Sequence, residues 1–247
     1  MSTENILITG ASSDLARELI RLITNGGRDA RIFAHFYQGK DRIDKLKSEL
    51  KADIVPIQAD LRGSAGVEHL IAQLRAHTDF PQKIIHLAGL KVHLERFHQA
   101  DLARFDDDFA VQVRAVMRLL QEFLPAMAHA PQPTKVVLVL SSVTVGVPAK
   151  YMATYTVIKH AELGLIRALA ADHAGGSVNI NGVSPYMTDT QFLSELPQKA
   201  KELAAAGAPH GRLLSTRDVV KVIEFLLSPA SDHLSGVNIP VTGGIAS

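Results

Sequence analysis

A chain of 247 residues with 47% hydrophobic and 21% charged residues is long enough to bury a sizeable core and too apolar for disorder. Its net charge of +1 gives no global pull towards nucleic acid or an anionic membrane, so neither is expected as a partner. There is no cysteine, which excludes disulfides and thiol catalysis, and no apolar run reaches membrane-spanning length. The start of the chain lacks a basic region followed by a long apolar segment, and the protein is expected to be cytoplasmic.

Ile6 to Thr9 reads as a short strand running into Thr9-Gly10-Ala11-Ser12-Ser13-Asp14-Leu15-Ala16, then a helix with Leu15, Leu19, Leu22 and Ile23 on its apolar side. A strand, a small-residue turn and a helix aim backbone N–H groups at a phosphate. With a single glycine, the turn equally reads as an ordinary β-to-α connection capped by Ser or Asp. Asn25-Gly26-Gly27 ends the helix, and Ala30 to Phe36 supplies a second strand. Ile43, Leu46 and Leu50 mark the next helix, Ile54 to Ile57 a third strand stopped by Asp60-Leu61. Val67, Leu70, Ile71 and Leu74 mark another helix before a fourth strand, Lys83 to Leu87, ending in Ala88-Gly89.

A long helix is expected over roughly Leu102 to Met127, stopped by Pro131 and Pro133, with Asp106-Asp107-Asp108 as partners of a helix N-terminal dipole. The Val136 to Leu140 strand, a helix carrying Tyr155, and a sixth strand, Val178 to Val183, follow. Gln191 to Ala206 reads as helical and mobile, part of a lid over about 186–208. Thr216 is placed to cap a helix carrying Val219, Val220, Ile223 and Leu227, and Val237 to Val241 is the last strand.

Strands alternating with helices mean parallel βαβ units, hence one doubly wound α/β domain over 1–247, with about seven strands and helices on both faces. In such sheets ligands bind beyond the carboxyl ends of the strands, here Gly10, His35, Asp60, Ala88-Gly89, Ser142 and Pro185. Tyr155 and Lys159 stand one turn apart on the helix after Ser142, so both face the same way. A lysine beside a phenol lowers its pKa, which suits acid–base work; the same spacing also occurs on ordinary helix faces.

In order and spacing, Thr9-Gly10 with Ser12 and Ser13, Asp60-Leu61, Ala88-Gly89, Ser142, Tyr155-x-x-x-Lys159, Pro185 with Thr190, and Gly236…Gly243-Gly244 resemble the short-chain dehydrogenase/reductase family across the whole chain. Pro209-His210-Gly211-Arg212-Leu213 is most similar to the bacterial 3-oxoacyl-thioester reductases of fatty acid or polyketide biosynthesis. The resemblance implies a Rossmann-like fold and hydride transfer between a nicotinamide and a carbonyl or carbinol carbon. Tyr155 would be the proton donor in reduction, Lys159 would lower its pKa and hold the ribose, and Ser142 would polarise the substrate oxygen. Gly10, Ser12, Ser13, Leu15, His35, Asp60, Leu61, Ala88, Gly89, Tyr155, Lys159, Pro185, Thr188 and Thr190 would line the cofactor. Lys91, His93, Val143, Tyr151 and Tyr186 would face the substrate, a small carbonyl compound or acyl thioester.

The departures are specific. Asp14 and Ala16 replace glycines of the cofactor turn; Asp14 is expected to cap the helix and face away, leaving phosphate to Ser12 and Ser13. Gln112 aligns with the family's relay asparagine and is the fourth catalytic candidate. Tyr186 follows Pro185 where glycine is usual and should narrow or gate the pocket. No carboxylate ends the second strand before Asp41, whereas His35, Lys40 and Arg42 are positioned to meet a 2′-phosphate, which favours NADP over NAD. Lys135 matches one basic acyl-carrier-protein docking region, but Gly175-Gly176 leaves the other without its arginine, so carrier docking is doubtful. His93, Glu95 and His98 mix helix faces, and no metal is expected. Homo-dimers or homo-tetramers through the Leu102–Met127 and Tyr155–His173 helices are expected from the resemblance. The rival readings are an NAD-dependent secondary-alcohol or sugar dehydrogenase and a catalytically silent or nucleotide-sensing subunit.

Overall fold

The computed structural model describes residues 3–27 and 29–245, so the outermost ends of the expected 1–247 domain lie outside the described residues. Strands β1 (Glu4–Thr9), β2 (Ala30–Phe36), β3 (Asp53–Gln58), β4 (Lys83–His86), β5 (Thr134–Val139), β6 (Val178–Pro185) and β7 (Asn238–Val241) pair in parallel in one sheet. Their order is β3-β2-β1-β4-β5-β6-β7, so the direction of winding reverses between β1 and β4. That reversal opens a crevice at the carboxyl ends of these two strands.

Successive side chains of a strand point to opposite faces, and here both faces are covered. In β1, Leu7 packs with Phe33, Ile84 and Val136 against α3 (Ser64–Arg75), α5 (Ala115–Ala128) and α6 (Ala153–Asp172), through Leu70, Leu119, Phe123 and Ile166. Ile6 and Ile8 face the other way, against α1 (Asp14–Asn25), α2 (Lys40–Glu49) and α8 (Thr216–Leu226), through Leu19, Ile23, Leu46, Val220 and Ile223. This explains why β1 reads as a continuous apolar run. Each such buried Leu, Ile or Phe contributes about 1.5–3 kcal/mol of transfer free energy.

The long helix expected over Leu102 to Met127 is three pieces: α4 (Leu102–Phe109), a π-helical turn (Ala110–Arg114), and α5. Pro125 lies inside α5 without ending it before Ala128. The expected role of Asp106-Asp107-Asp108 is corrected here. The N-cap of α4 is Asp101, accepting from the N–H of Ala103 and Arg104, while the three aspartates fall in the last turn. There a carboxylate gains nothing from the dipole; Asp107 pairs with Arg62 at 3.5 Å and Asp108 turns inwards. At α8 the cap is Ser215 rather than Thr216, and Asp218 returns the bond to complete a capping box.

The segment after β6 carries a parallel bridge between Thr188 and Leu214, a 3₁₀ turn at Gln191–Leu193, and α7 (Gln198–Gly207), in place of one helix over Gln191 to Ala206. No helix among the described residues is long and apolar enough to cross a membrane.

Candidate active site

Strand β5 ends at Val139, and the chain turns through Ser141 into a 3₁₀ turn, Ser142–Thr144, that presents Ser142 to a cleft of about 1040 Å³. Tyr155 and Lys159 enter the same cleft from the first turns of α6, both almost wholly buried. The Lys159 ammonium lies 5.8 Å from the Tyr155 ring centroid. It donates to the Val139 carbonyl at 2.9 Å and to the Glu162 carboxylate at 2.8 Å. Burial raises the Tyr155 phenol above its ordinary range; Lys159, and then the Ser141 hydroxyl, pull it back down. The phenol therefore stays protonated at neutral pH, as a proton donor requires.

Gln112 is wholly buried on the π-helical turn, with its amide donating to Asp108 at 2.5 Å. Asp108 also accepts from the Leu90 N–H at 3.0 Å, and burial raises its carboxyl. A side chain at Gly89 would sit 3.0 Å from the Gln112 amide carbon, so the small residue there is what admits the longer stem. The Gln112 Oε1 and the His86 Nε2 are both buried without a partner. His86 is joined to Thr9 at 2.8 Å, and burial depresses it to about 3.

The cofactor turn is closed from within. Gly10 has φ +68°, and a Cβ there would lie 2.9 Å from the Ala88 nitrogen, so only glycine lets β1 approach β4 this closely. His35 accepts from the Gly10 N–H at 3.3 Å and bonds the Ala59 carbonyl at 3.1 Å. It is buried and depressed to about 4, hence neutral and unable to pair with a phosphate as a cation. Lys40 is likewise engaged away from the cleft, with Asp44 at 2.6 Å. Arg42 does line the cleft, as do Tyr37, Asp60 and Arg62. Arg62 clasps Asp60 at 2.7 Å and donates to the Tyr37 hydroxyl at 3.0 Å.

The helix cap on this turn is Ser13, accepting from Ala16, and Asp14 is the first residue of α1. The Asp14 carboxylate faces across the cleft mouth, accepting from the Gln191 N–H at 2.8 Å and from Arg17 at 2.6 Å. Arg42 bonds the Gln191 side chain. These partners lower the Asp14 carboxyl despite the upward push of burial, and they neutralise the charge that would repel a diphosphate.

Val143, Val92, Met152, Leu193 and Leu196 build an apolar wall around Tyr155. Lys91, exposed, stands on the rim of the cleft. His93 and Tyr151 do not join it. They line a separate shallow recess with Glu95, Arg96, Gln99 and Asp101, because Tyr151 takes a left-handed φ of 69° and its carbonyl bonds the Glu95 N–H. Tyr186 lines the cleft but packs partly into the core on the α1 side. Lys135, considered for carrier docking, is buried against Asp232 at 2.6 Å and Asn179 at 2.7 Å and offers no surface charge. Ser141, Glu162 and Arg62 were not picked out from sequence, and Asp108 was read there only as a helix-dipole partner; adjacency to Ser142 and Asp60 was the available signal for Ser141 and Arg62. Among the described residues no group of three His, Cys, Asp or Glu is placed to hold a metal.

The cleft, the turn that closes on β4, and the α1 N-terminus are of a size and chemistry that fit a dinucleotide. Residues 10–246 match a family model described as enoyl-(acyl carrier protein) reductase. The chain is 28% identical to short-chain dehydrogenase reductase 3c of Arabidopsis thaliana, over 97% of this chain and 93% of that one. It is 23% identical to a 3-oxoacyl-(acyl-carrier-protein) reductase of Staphylococcus aureus, over 98% of each. Among solved structures, a 3-ketoacyl-(acyl-carrier-protein) reductase from Brucella melitensis complexed with NADH superposes with TM-score 0.87 at 22% identity, covering 99% of this chain and 98% of that one. An angucycline C-6 ketoreductase with bound NADP superposes with TM-score 0.87 at 20% identity, covering 98% and 95%.

Proposed function

The chain belongs to the short-chain dehydrogenase/reductase family of oxidoreductases, and from that premise we propose that it reduces a ketone or a 3-oxoacyl group to the alcohol with NADPH. One observation carries the reading. A buried, protonated phenol, Tyr155, sits beside an ammonium, Lys159, and the serine-bearing turn at Ser142, where the sheet opens its ligand crevice.

A bound nicotinamide would supply the hydride. Gly10, Ser12, Ser13 and Leu15 at the α1 N-terminus are suited to its diphosphate, Asp60 and Leu61 to the adenine, and Ala88 and Gly89 to the adjoining ribose. Tyr155 and Lys159 are suited to the nicotinamide ribose, and Pro185, Thr188 and Thr190 to the carboxamide. Tyr155 gives its hydroxyl proton to the substrate oxygen as charge builds there, and the Ser142 hydroxyl donates a hydrogen bond to the same oxygen. Lys159 holds its positive charge next to the phenolate left behind. The wall of Val92, Val143, Met152, Leu193 and Leu196 keeps water off the reacting carbonyl and suits an alkyl or acyl chain.

NADPH is favoured because no carboxylate ends β2 and the Arg42 guanidinium stands at the cleft beside Ser12. With Lys135 buried, a free thioester or small ketone suits this chain better than a carrier-bound acyl group. Assembly into a dimer or tetramer through the α4–α5 and α6 faces is supported by exposed Leu102, Met117 and Val157; a sedimentation mass equal to one chain would overturn it. The activity is tested by following nicotinamide absorbance with NADPH or NADH and a panel of ketones and 3-oxoacyl thioesters. Turnover with NADPH supports the proposal. No turnover and no cofactor binding would leave the silent-subunit reading.

A further inference from the structure

Among the described residues, Glu162 is the one wholly buried carboxylate, and the mechanism above does not use it. It stands one turn beyond Lys159 on α6, among Ile158, Leu163 and Ile166, at a core-facing position. One carboxylate oxygen is 2.8 Å from the Lys159 Nζ and the other is buried with no partner. An ammonium has three donors. Two are held here, by Val139 and by Glu162, so the ammonium is fixed from behind and has one N–H left for the cleft.

We propose that Glu162 is a positioning residue for the reaction: its buried carboxylate anchors the Lys159 ammonium and, through it, sets how readily Tyr155 releases its proton. The inference rests on Tyr155 being the proton donor. An isolated lysine beneath a phenol favours phenolate at full strength, whereas an ion-paired lysine does so only in part. The charged and titratable groups facing this cluster are Lys159 and Glu162 on α6 itself, Asp108 at the end of α4, and His86 on β4, with the Ser141 hydroxyl and Val139 carbonyl from the β5 end. Burial raises the Glu162 carboxyl to about 7, so in the alkaline range where a phenol titrates it is ionised and opposes that ionisation. Asp108 adds to the same opposition and His86 is neutral.

The test is the ultraviolet phenolate titration of the cofactor-free full chain, by stopped-flow pH jump so that alkaline unfolding does not intervene. The curve of Tyr155→Phe is subtracted to isolate Tyr155 from Tyr37, Tyr151 and Tyr186. Glu162→Gln keeps the shape and removes the charge; the Tyr155 midpoint is expected to fall by about one pH unit or more. In a Lys159→Met background, adding Glu162→Gln is expected to move it by less than half as much, because a buried carboxylate without its ammonium holds its proton. A midpoint unchanged by Glu162→Gln overturns the proposal. So does an equal shift in both backgrounds, which would mean that the carboxylate acts on the phenol without Lys159. Should Glu162→Gln not fold, Glu162→Asp withdraws the carboxylate from Nζ, and the midpoint should fall by a smaller amount; no change again overturns the role. The titration needs neither substrate nor turnover, so an inactive chain would count against the proposed function and leave this result standing.

Discussion

Arg42 shows how single side chains divide the labour at the adenosine end of the cleft. His35 is locked as a neutral strap between Gly10 and Ala59 and Lys40 pairs with Asp44, so under the proposed NADPH dependence it is Arg42, at the cleft beside Ser12 and Gln191, that would meet the 2′-phosphate. A hydrogen bond to a charged group is worth about 1.5–3 kcal/mol. Arg42→Ala is therefore expected to raise KM for NADPH by roughly tenfold or more and to leave KM for NADH almost unchanged. An equal rise for both would remove the assignment. Tyr155 and Lys159 were legible from sequence because their spacing alone puts them on one face, next to a strand end that parallel topology makes a ligand edge. Glu162 was not. A glutamate one turn after a lysine reads as a solvated helix pair, and only the packing of Ile158, Leu163 and Ile166 shows that this face is buried. His35 misread in the opposite direction, since a histidine at a strand end says nothing of the Ala59 carbonyl that folds over it.

At the scale of elements, Gly66 in α3 is a constraint that the periodic pattern hid. A Cβ there would lie 1.9 Å from the Asp60 carbonyl oxygen, so α3 can start only because this residue has no side chain. Gly66→Ala is expected to cost about 3 kcal/mol or more in urea unfolding, the upper range for overpacking, and to weaken cofactor binding by displacing Asp60. Normal stability would show that the turn yields. The Ser215–Asp218 capping box of α8 carries a pH dependence. Hydrogen bonds from Arg212 and from the Ser215 N–H and hydroxyl hold the Asp218 carboxyl far below the ordinary range. A depressed carboxyl contributes stability above its unfolded pKa of about 3.9 and loses it as pH falls towards the folded value. The wild-type advantage over Asp218→Asn should accordingly be full at pH 6 and shrink below about pH 4, read from urea midpoints. Strand and helix existence was readable because the apolar periods are strong. The π-helical turn was not, since one extra residue in a helix leaves no mark in composition and shifts the face of everything before it.

For the molecule as a whole, the buried polar groups predict a modest acid sensitivity well above the range of surface carboxylates. His35 and His86 are depressed to about 4 and about 3, so below pH 6.5 the unfolded chain binds protons that the folded chain refuses, and stability falls with pH. Glu162, raised to about 7, works the other way between about 4.5 and 7, because there the folded chain binds the extra proton. Two protons against one leaves a loss on the order of 1.4 kcal/mol per pH unit between about pH 6 and 5. In Glu162→Gln that offset is gone, and the slope should roughly double. A flat profile for both chains would mean that these groups are solvated. A parallel, doubly wound sheet was implied by alternating strands and helices, since right-handed crossovers leave few alternatives, but its strand order was not read from sequence. Which loops line one cleft was not, and His93 and Tyr151 fell outside it because a left-handed residue at Tyr151 turns the loop away.

The central claim is that Tyr155 delivers the proton in a nicotinamide-dependent carbonyl reduction. It is met most directly by single-turnover reduction of a 3-oxoacyl thioester, or of whichever ketone the panel selects, with NADPH, comparing the wild-type chain with Tyr155→Phe while cofactor affinity is read separately by fluorescence. The account predicts that the substitution lowers the rate by about 10²–10⁴-fold, the usual share of general acid catalysis, with NADPH still bound. An undiminished rate in the Phe variant would contradict it.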